Sequence, residues 1–167
     1  MANIRIIRRR IRSVQNTAKI TKAMQMIAAS KMRRAQQLTL AGRAYAEKMR
    51  DVLADLAAQP SEAEDAHPLL KQRETRRIQV IHITPDRGLC GGLNSNLNRI
   101  TGRFILEQQA PVSVVSVGRK GRDFMVRYNR DVRAVFTDLG DRPGVTDVAP
   151  IAHLAIEDYT SGYVDQV

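Results

Sequence analysis

The chain has 167 residues, a formal net charge of +10 and a single cysteine. One cysteine cannot form a disulfide within the chain, and no apolar run reaches about eighteen residues, so the sequence indicates neither an oxidising compartment nor a membrane-spanning helix. The charge is unevenly placed: residues 1–50 hold thirteen Lys and Arg and one acid, Glu47, whereas residues 51–167 hold fourteen Lys and Arg and sixteen acids. The basic segment predicts an acidic partner, such as nucleic acid, anionic lipid or an acidic protein surface.

A long helix is predicted for this basic segment. From Ile4 to about Ala58 there is no proline and one glycine, Gly42, and most residues are Ala, Arg, Lys, Gln, Met, Leu or Ile, which favour helix. One continuous helix of this length would extend about 80 Å. The Arg-rich opening also has the composition of a transit peptide, but it is poor in Ser and its pattern continues without a break, so we favour the helix.

A seven-residue repeat explains how so long a helix could be supported. Of its sixteen positions twelve are apolar, which is typical of a coiled-coil seam. Large side chains lie at its ends and small ones in its middle, where a partner helix could approach closely. The seam positions are Ile4, Ile7, Ile11, Val14, Ala18, Thr21, Gln25, Ala28, Met32, Ala35, Thr39, Gly42, Ala46, Met49, Leu53 and Leu56.

One stretch of the helix, residues 18–29, is apolar almost all round. Ile20 and Ile27 lie away from the seam, and Ala23, Met24 and Met26 add to them. A helix apolar on all sides is normally buried on several sides. We therefore predict that one partner packs along the seam while another surface encloses this stretch; the alternative is that it packs on the protein's own body.

The remainder of the chain alternates between strand and helix patterns. Residues 60–76 contain two prolines and clustered charge, which predicts a linker. Strands are predicted at 77–84, 112–117 and 132–137, and helices at 94–108, from 118 onward, and at 146–161. This alternation predicts a parallel sheet with helices on its faces. We thus expect a helix over 1–59, a linker over 60–76 and an α/β domain over 77–167.

Two expected elements are not found in the sequence. The alternation requires another strand near residue 167, and the seam requires a second long helix, which residues 60–167 do not supply. The expectation is therefore of a domain incomplete at its C-terminal end, and of a chain truncated before a further strand and a long C-terminal helix.

The glycine-rich stretch DRGLCGGLN, residues 86–94, follows the first strand and could bind phosphate, because glycine allows a backbone to approach an anion closely. It lacks the Lys of a P-loop and does not match G-x-G-x-x-G. We favour a tight turn in which Asn94 or Ser95 caps the next helix. The basic glycine-bearing stretch 118–121 is likewise read as a connection with exposed charges.

No catalytic or metal-binding pattern is recognised. Cys90 could be a nucleophile, but none of the scattered histidines forms a motif with it, so a half-buried thiol is favoured. His82 lies in mid-strand and is expected to be a packed residue. No Cys/His spacing fits zinc. We expect no catalytic residue, no metal, no cofactor and no direct small-molecule ligand.

Several stretches resemble a known family. Residues 11–32 (IRSVQNTAKITKAMQMIAASKM), residues 86–94 and the shorter VGRKG at 117–121 are similar to the gamma subunit of the F-type ATP synthase, the central rotor stalk, and the likeness extends through 151–159. The resemblance implies a long coiled-coil helix plus a Rossmann-like α/β domain. It also implies a non-catalytic subunit that couples proton-driven rotation to conformational change at ATP sites on partner subunits.

The resemblance also implies partners and a location. These are the alpha and beta subunits of the catalytic hexamer, the epsilon subunit and the c-subunit ring, in a complex peripheral to the cytoplasmic face of the bacterial plasma membrane. Nucleic acid is not expected. The residues placed against partner subunits are Lys19, Lys22, Met24, Lys31, Arg33 and Arg34.

Two other functions are compatible with single features of the sequence. A nucleic-acid-binding protein that uses the basic helix is the leading alternative, but the basic residues are interleaved with a continuous apolar seam rather than gathered in a separate block. A small nucleotide-binding enzyme that uses the turn at 88–92 is the second. Neither alternative explains the length of the seam.

Overall fold

A computed structural model describes residues 4–58, 67–71 and 73–167. They fall into two compact units, Met1–Pro60 and Ser61–Val167. The predicted linker lies partly outside the described residues, which exclude 59–66 and residue 72. Within the rest of it, Pro68–Leu70 forms a single 3-10 turn, in which the backbone N–H of Leu69 donates to Nδ1 of His67 at 3.3 Å.

The first unit is one helix, α1 (Ile4–Ala58), of 55 residues. Its length agrees with the composition of the segment, which contains no proline to interrupt the backbone hydrogen bonds. Every side chain described in α1 is exposed. Exposed ion pairs support its C-terminal part: Arg43 lies 3.4 Å from Glu47, and Lys48 lies 3.3 Å from Asp51. Such pairs each stabilise a helix by only about 0.3–0.5 kcal/mol.

The second unit contains a three-stranded parallel sheet of order β1-β2-β3. Its strands are β1 (Ile78–Ile83), β2 (Val112–Val117) and β3 (Asp131–Phe136), and its helices are α2 (Leu93–Glu107), α3 (Arg119–Arg127) and α4 (Val145–Thr160). The predicted α/β class is confirmed. Each strand and helix predicted between residues 77 and 161 is present, with ends shifted by at most two residues.

Helices cover both faces of this sheet. On one face Val114 packs with Ile105 of α2 and Met125 of α3. On the other face Val115 and Val117 pack with Ile151 of α4. Because β2 lies between the other two strands and is covered on both sides, five of its six residues are buried, serines included, and burial does not alternate along the strand.

The chain beyond α4 returns to the free edge of β1. Gln166 forms an isolated parallel bridge with Ile78, and the backbone N–H of Gln79 donates to the carbonyl oxygen of Gln166 at 2.8 Å. Val164 is fully buried beside this bridge. This contact is an isolated bridge and not a strand, and the further strand expected after residue 167 stays a prediction.

A bulge in β3 changes which face its side chains occupy. Val114 pairs with Val132 but Val115 pairs with Ala134, so Arg133 has no partner in the ladder. Val132 consequently packs with the α2/α3 cluster, whereas Ala134 packs with the α4 cluster. A bulge of this kind shifts the alternation locally: Arg133 faces α4 by ordinary alternation after Val132, and the bulge brings Ala134 to the α4 side as well.

Candidate partner-binding surface on the long helix

The six residues expected to contact partners all lie on α1 and are all exposed. They span about 22 Å along the helix axis at 1.5 Å per residue. They are Lys19, Lys22, Met24, Lys31, Arg33 and Arg34.

These residues surround the helix and do not form one patch. At about 100° per residue, Lys19, Lys22 and Arg33 lie within about 60° of one another. Met24 and Lys31 lie within about 20° of each other on the opposite side of the helix. Arg34 points away from the seam. The helix thus brings together two groups, one on each side of the seam. A protein that contacts all six must enclose the helix.

The stretch 18–29 presents large apolar side chains in all directions. Ile20 is 61% exposed and Met26 is 62% exposed, although they point to different sides of the helix. Full burial of one such side chain is worth about 1.5–3 kcal/mol. This stretch therefore has a strong tendency to be covered by other protein surfaces.

The hydroxyl groups of the seam are already satisfied by the helix itself. Thr21 Oγ1 donates to the carbonyl oxygen of Thr17 at 2.8 Å, and Thr39 Oγ1 donates to that of Ala35 at 2.9 Å. Burying these side chains against another helix therefore leaves no hydroxyl without a partner. The two threonines can serve as seam residues without the cost of an unpaired buried polar group.

The glycine-rich turn joins β1 to α2 and is held by hydrogen bonds within its own backbone. Gly91 has φ +60°, and Leu89 has φ +61° with a fully exposed side chain. The cap of α2 is Gly92, and no side chain caps this helix. The prediction that Asn94 or Ser95 caps α2 is wrong: both lie inside its first turn, and Nδ2 of Asn94 donates instead to Sγ of the half-buried Cys90 at 3.1 Å.

A carboxylate of the chain binds the backbone N–H at the start of α3. Asp86 Oδ1 accepts a hydrogen bond from the backbone N–H of Arg119, the first residue of α3, at 2.9 Å. Asp86 Oδ2 accepts one from the N–H of Asp138 at 3.0 Å. Arg119 also donates to both carboxylate oxygens of Asp138, at 2.6 and 2.7 Å, and this hydrogen bonding lowers the pKa of Asp138. The polar groups at the carboxyl edge of the sheet are thus paired with one another.

The glycines of the stretch 118–121 are required for packing. Gly118 has φ +98°, and a Cβ atom there would lie 1.9 Å from the carbonyl oxygen of Thr84. A Cβ atom at Gly121 would lie 2.6 Å from Cδ2 of His82. These glycines let α3 approach the end of β1, as expected for a connection rather than an anion site.

His82 is a packed residue, as predicted. It is 3% exposed, and both ring nitrogens are engaged: Nε2 lies 2.8 Å from Oδ1 of Asn98, and Nδ1 lies 3.0 Å from Oγ1 of Thr101. A histidine held at both nitrogens by α2 has no free nitrogen with which to activate a nucleophile.

Sequence reasoning missed a buried polar cluster on the other face of the sheet. Asp158 of α4 is 2% exposed, accepts a hydrogen bond from Nε2 of Gln79 at 2.6 Å and pairs with Arg133. The hydrogen bond from Arg133 lowers the pKa of Asp158, and that from Gln79 adds to the effect against the opposing effect of burial. One signal was available: Asp158 lies seven residues after the buried Ile151, on the same face of the helix.

Metal sites and membrane-spanning helices are both absent from the described parts of the chain. Within residues 4–58, 67–71 and 73–167, no group of three or more His, Cys, Asp or Glu side chains is placed to hold a metal ion. In the same part of the chain, no helix is both long enough and apolar enough to cross a bilayer.

Comparison with known proteins adds the decisive observation. The family model described as ATP synthase matches residues 3–167, which is nearly the whole chain. The chain belongs to the ATP synthase family. The sequence resemblance is thereby confirmed, and it extends over both the long helix and the α/β unit.

Curated members of the ATP synthase family give the same result. The chain is 60% identical over 167 residues to the ATP synthase gamma chain of Dehalococcoides mccartyi, covering all of this chain and 59% of that relative. It is 49% identical over 167 residues to the gamma chain of Desulfitobacterium hafniense, again covering 59% of the relative. The chain therefore spans about three fifths of the length of the curated relatives that it matches. The nucleic-acid-binding alternative has no support among them.

A solved structure of the family is also similar. It is that of the central stalk and c-ring of the Tetrahymena thermophila mitochondrial ATP synthase. The TM-score is 0.64 at 28% identity, over 81% of this chain and 58% of the other.

Proposed function

We propose that the chain contributes the rotor of the central stalk of an F-type ATP synthase, coupling proton-driven rotation to conformational change at ATP sites on partner subunits. The observation that carries this proposal is α1: one unbroken helix of 55 residues with an apolar seam exposed along its length. The similarity to gamma chains and to a central stalk structure supports the same role. A stiff helix is suited to transmitting rotation, because its backbone hydrogen bonds resist bending along the whole axis.

The seam would receive a second long helix that runs antiparallel to α1. Small side chains at Ala18, Ala28, Ala35 and Gly42 would let the two backbones approach closely in the middle. Large ones such as Ile7 would separate the helices more widely toward the ends. A coiled coil formed in this way would be stiffer than either helix alone.

The partners of this rotor would be the alpha and beta subunits around the coiled coil, with the epsilon subunit and the c-subunit ring next to the α/β unit. The complex would be peripheral on the cytoplasmic face of the bacterial plasma membrane. The chain itself would not be catalytic, since ATP would be bound by the alpha and beta subunits. Occupation of the N-terminus of α3 by Asp86 supports this assignment.

Individual residues of α1 would have distinct contacts within the ring. Lys22 and Met24 would contact the moving lobes of the beta subunits, with Lys19 and Lys31 nearby. Arg33 and Arg34 would form an electrostatic catch with acidic segments of those subunits. Because an exposed ion pair is worth only about 0–1 kcal/mol, torque would have to be distributed over many such contacts and over the shape of the helix.

The division of the chain would follow the same roles, with the rotor helix over 1–59, a linker over 60–76 and the α/β domain over 77–167. Limited proteolysis would test this division, because cleavage should occur first within 60–76 and leave the two flanking parts intact. Early cleavage within α1 or within the strands would contradict it.

The function is tested in the full-length subunit assembled with its partners. Replacing Arg33 and Arg34 by Glu should lower the number of protons pumped per ATP hydrolysed in membrane vesicles, because the reversed charge repels acidic partner segments. Arg99 and Arg103 of α2 provide a matched control, since their replacement by Glu changes the net charge equally. Equal pumping ratios in the two double variants would contradict the electrostatic catch, and failure of the subunit to assemble with alpha and beta subunits would contradict the rotor assignment.

A further inference from the structure

We propose that the groove between α2 and α3 binds an acidic amphipathic helix of a partner protein. The groove has a volume of about 580 Å³ and lies on the face of the sheet opposite α4. The inference goes beyond the rotor function, because the groove uses none of the six α1 residues assigned to partner contacts. The residues that define it are Arg99, Gly102, Arg103, Phe124, Tyr128 and Arg130.

The floor of the groove is apolar. A Cβ atom on Gly102 would lie 3.5 Å from Cε1 of Phe124, so the phenyl ring lies against the space that this glycine leaves on α2. The ring centroids of Phe124 and Tyr128 are 4.6 Å apart, and Tyr128 is 57% exposed. Leu106, one turn beyond Gly102, is 69% exposed at the end of the groove. This exposed apolar surface favours contact with apolar side chains of another protein.

Three arginines line this floor, and their side chains have no acidic partner in the described chain. Arg99 and Arg103 are exposed on successive turns of α2, and Arg130 is half-buried just after α3. None of the three forms an ion pair with a described residue, and no Asp or Glu is among the described residues that line the groove. Elsewhere in the same unit Arg119 and Arg133 each lie within 3.0 Å of a carboxylate. The groove therefore leaves three positive charges available to an acidic ligand.

The backbone after α3 places Arg130 at the groove. Asn129 has φ +49°, and its N–H donates to the carbonyl oxygen of Val126 at 3.1 Å. The N–H of Arg130 donates to the carbonyl oxygen of Met125 at 2.9 Å. These are the two hydrogen bonds of a Schellman motif, in which a residue in the left-handed conformation ends the helix. The position of Arg130 is thus determined by the end of α3 and does not require a bound partner.

The charge of the α/β unit is divided in the same way. Residues 93–130, which include α2 and α3, hold seven Lys and Arg and two acids, whereas residues 131–167, which include α4, hold two Arg and seven acids. The groove therefore lies in the basic half of the unit. A basic surface attracts an acidic partner and repels a basic one.

The shape of the groove favours a helix as the ligand. Its α2 side runs from Ser95 to Leu106, about 17 Å or three helical turns. A helix bound between two others places apolar side chains three and four residues apart on the floor. Carboxylates on its two sides would then meet the arginines of α2 and Arg130. A flat bilayer surface does not enter a recess between two helices, and a nucleic acid has no row of apolar side chains for the floor to bury.

The test uses a fluorescent reporter inside the groove. The chain contains no tryptophan, so Tyr128→Trp in the whole chain creates a single fluorophore that reports binding in the groove and not on α1. The probe is a synthetic peptide of about 18 residues with leucine at every third or fourth position and glutamate on both sides of this stripe. It should change the tryptophan emission saturably. A peptide of the same composition, in an order that gives no apolar stripe, should bind at least about 10-fold more weakly.

Charge reversal tests the arginines in this Tyr128→Trp background. Arg99→Glu combined with Arg103→Glu should weaken binding of the glutamate peptide by about 10-fold or more, and should strengthen binding of a peptide in which lysine replaces glutamate. The matched control is Arg87→Glu combined with Arg142→Glu, which changes the net charge equally at two exposed arginines outside the groove. It should leave the affinity for both peptides nearly unchanged.

Filling the groove gives a second, independent test. Gly102→Leu should prevent binding, because its side chain would occupy the floor beside Phe124. Leucine favours helix more than glycine does, so α2 should remain folded, and circular dichroism would check this.

The proposal would be overturned by the absence of a saturable fluorescence change, by equal affinity for the two sequence orders, by equal losses in the two double arginine variants, or by undiminished binding to the folded Gly102→Leu variant. Tighter binding of phosphatidylglycerol vesicles or of a single-stranded oligonucleotide than of the peptide, measured by the same fluorescence, would also overturn it. The pumping ratio that tests the rotor assignment is measured without the peptide, so the two proposals can fail separately.

Discussion

Asp158 in α4 and Arg133 in β3 form a two-point ion pair, with Nη2 lying 3.0 Å from Oδ1 and Nε lying 3.2 Å from Oδ2. The carboxylate is buried, whereas the guanidinium side chain is 42% exposed. The ring of Tyr163 lies 4.7 Å from the guanidinium carbon of Arg133. The pair therefore fastens the last helix and the segment after it to the edge strand of the sheet.

Replacing Asp158 with Asn should lower the free energy of unfolding of the α/β unit by about 2 kcal/mol, since a charged hydrogen-bonding partner is lost from a buried position while Arg133 can still reach water. Urea denaturation monitored by circular dichroism would measure this free energy of unfolding, and Glu157→Gln, at a neighbouring exposed residue, is the control. Equal stability of the two variants would show that the pair contributes nothing.

The same pair predicts how stability depends on pH. Because the pKa of Asp158 is lower in the folded chain than in the unfolded one, its contribution is complete above the unfolded value of about 4 and is lost as pH falls through the folded value. Unfolding midpoints measured from pH 7 down to pH 2 should fall less steeply at the acid end in Asp158→Asn than in the parent chain. Parallel curves would contradict this assignment.

Gly118→Ala should destabilise the α/β unit by about 3 kcal/mol or more, because the new methyl group would collide with the backbone carbonyl of Thr84. Gly140→Ala is the matched control: its φ is also positive, at +74°, but nothing lies within 4 Å of the added atom. It should cost only about 1 kcal/mol. Thermal unfolding of both variants would separate the collision from the backbone strain that they share, and equal losses would contradict the close approach.

Thr84→Val should cost about 1–2 kcal/mol, because it removes the oxygen that accepts the buried backbone N–H of Gly121 at 2.8 Å. Thr84→Ser keeps this oxygen, so it should retain more of the stability. Hydrogen exchange at the amide of residue 121 gives a direct measurement and should accelerate in the valine variant only. Unchanged exchange there would show that the amide is protected in another way.

Met24→Lys in the assembled synthase should reduce coupling between ATP hydrolysis and proton transport, because it places a charge on a stretch expected to be enclosed by apolar surfaces. Gln37→Lys adds the same charge outside that stretch and should have less effect. If both variants coupled as well as the parent, Met24 would face solvent in the assembly.

The elements that local patterns specify were predictable. The length of α1 followed from the absence of proline, and β2 followed from its apolar run between two glycine- or proline-containing connections. The contacts that depend on three-dimensional register were not predictable. The packing of Ala134 and Phe136 against α4 requires a bulge that shifts the alternation of β3, and nothing in the sequence DVRAVF indicates that shift. The predicted cap of α2 was wrong for a similar reason. The backbone turn at Leu89 and Gly91 starts the helix before Asn94 and Ser95, the polar residues predicted to cap it.

The partner-binding surface of α1 was predictable only in part. Its residues could be named because they lie on one regular helix, where position around the axis follows from residue number. Which protein each of them meets depends on chains outside this sequence, so Lys22 and Met24 remain predictions about an assembly.

The position of Asp86 has a consequence for an incoming anion. A phosphate group arriving at the start of α3 would have to displace this carboxylate from two backbone amides and then remain beside its negative charge. Both steps cost free energy, and the nearby Asp138 adds further repulsion. The α/β unit therefore disfavours a phosphate at this edge of its sheet, which agrees with the proposal that ATP is bound by other subunits.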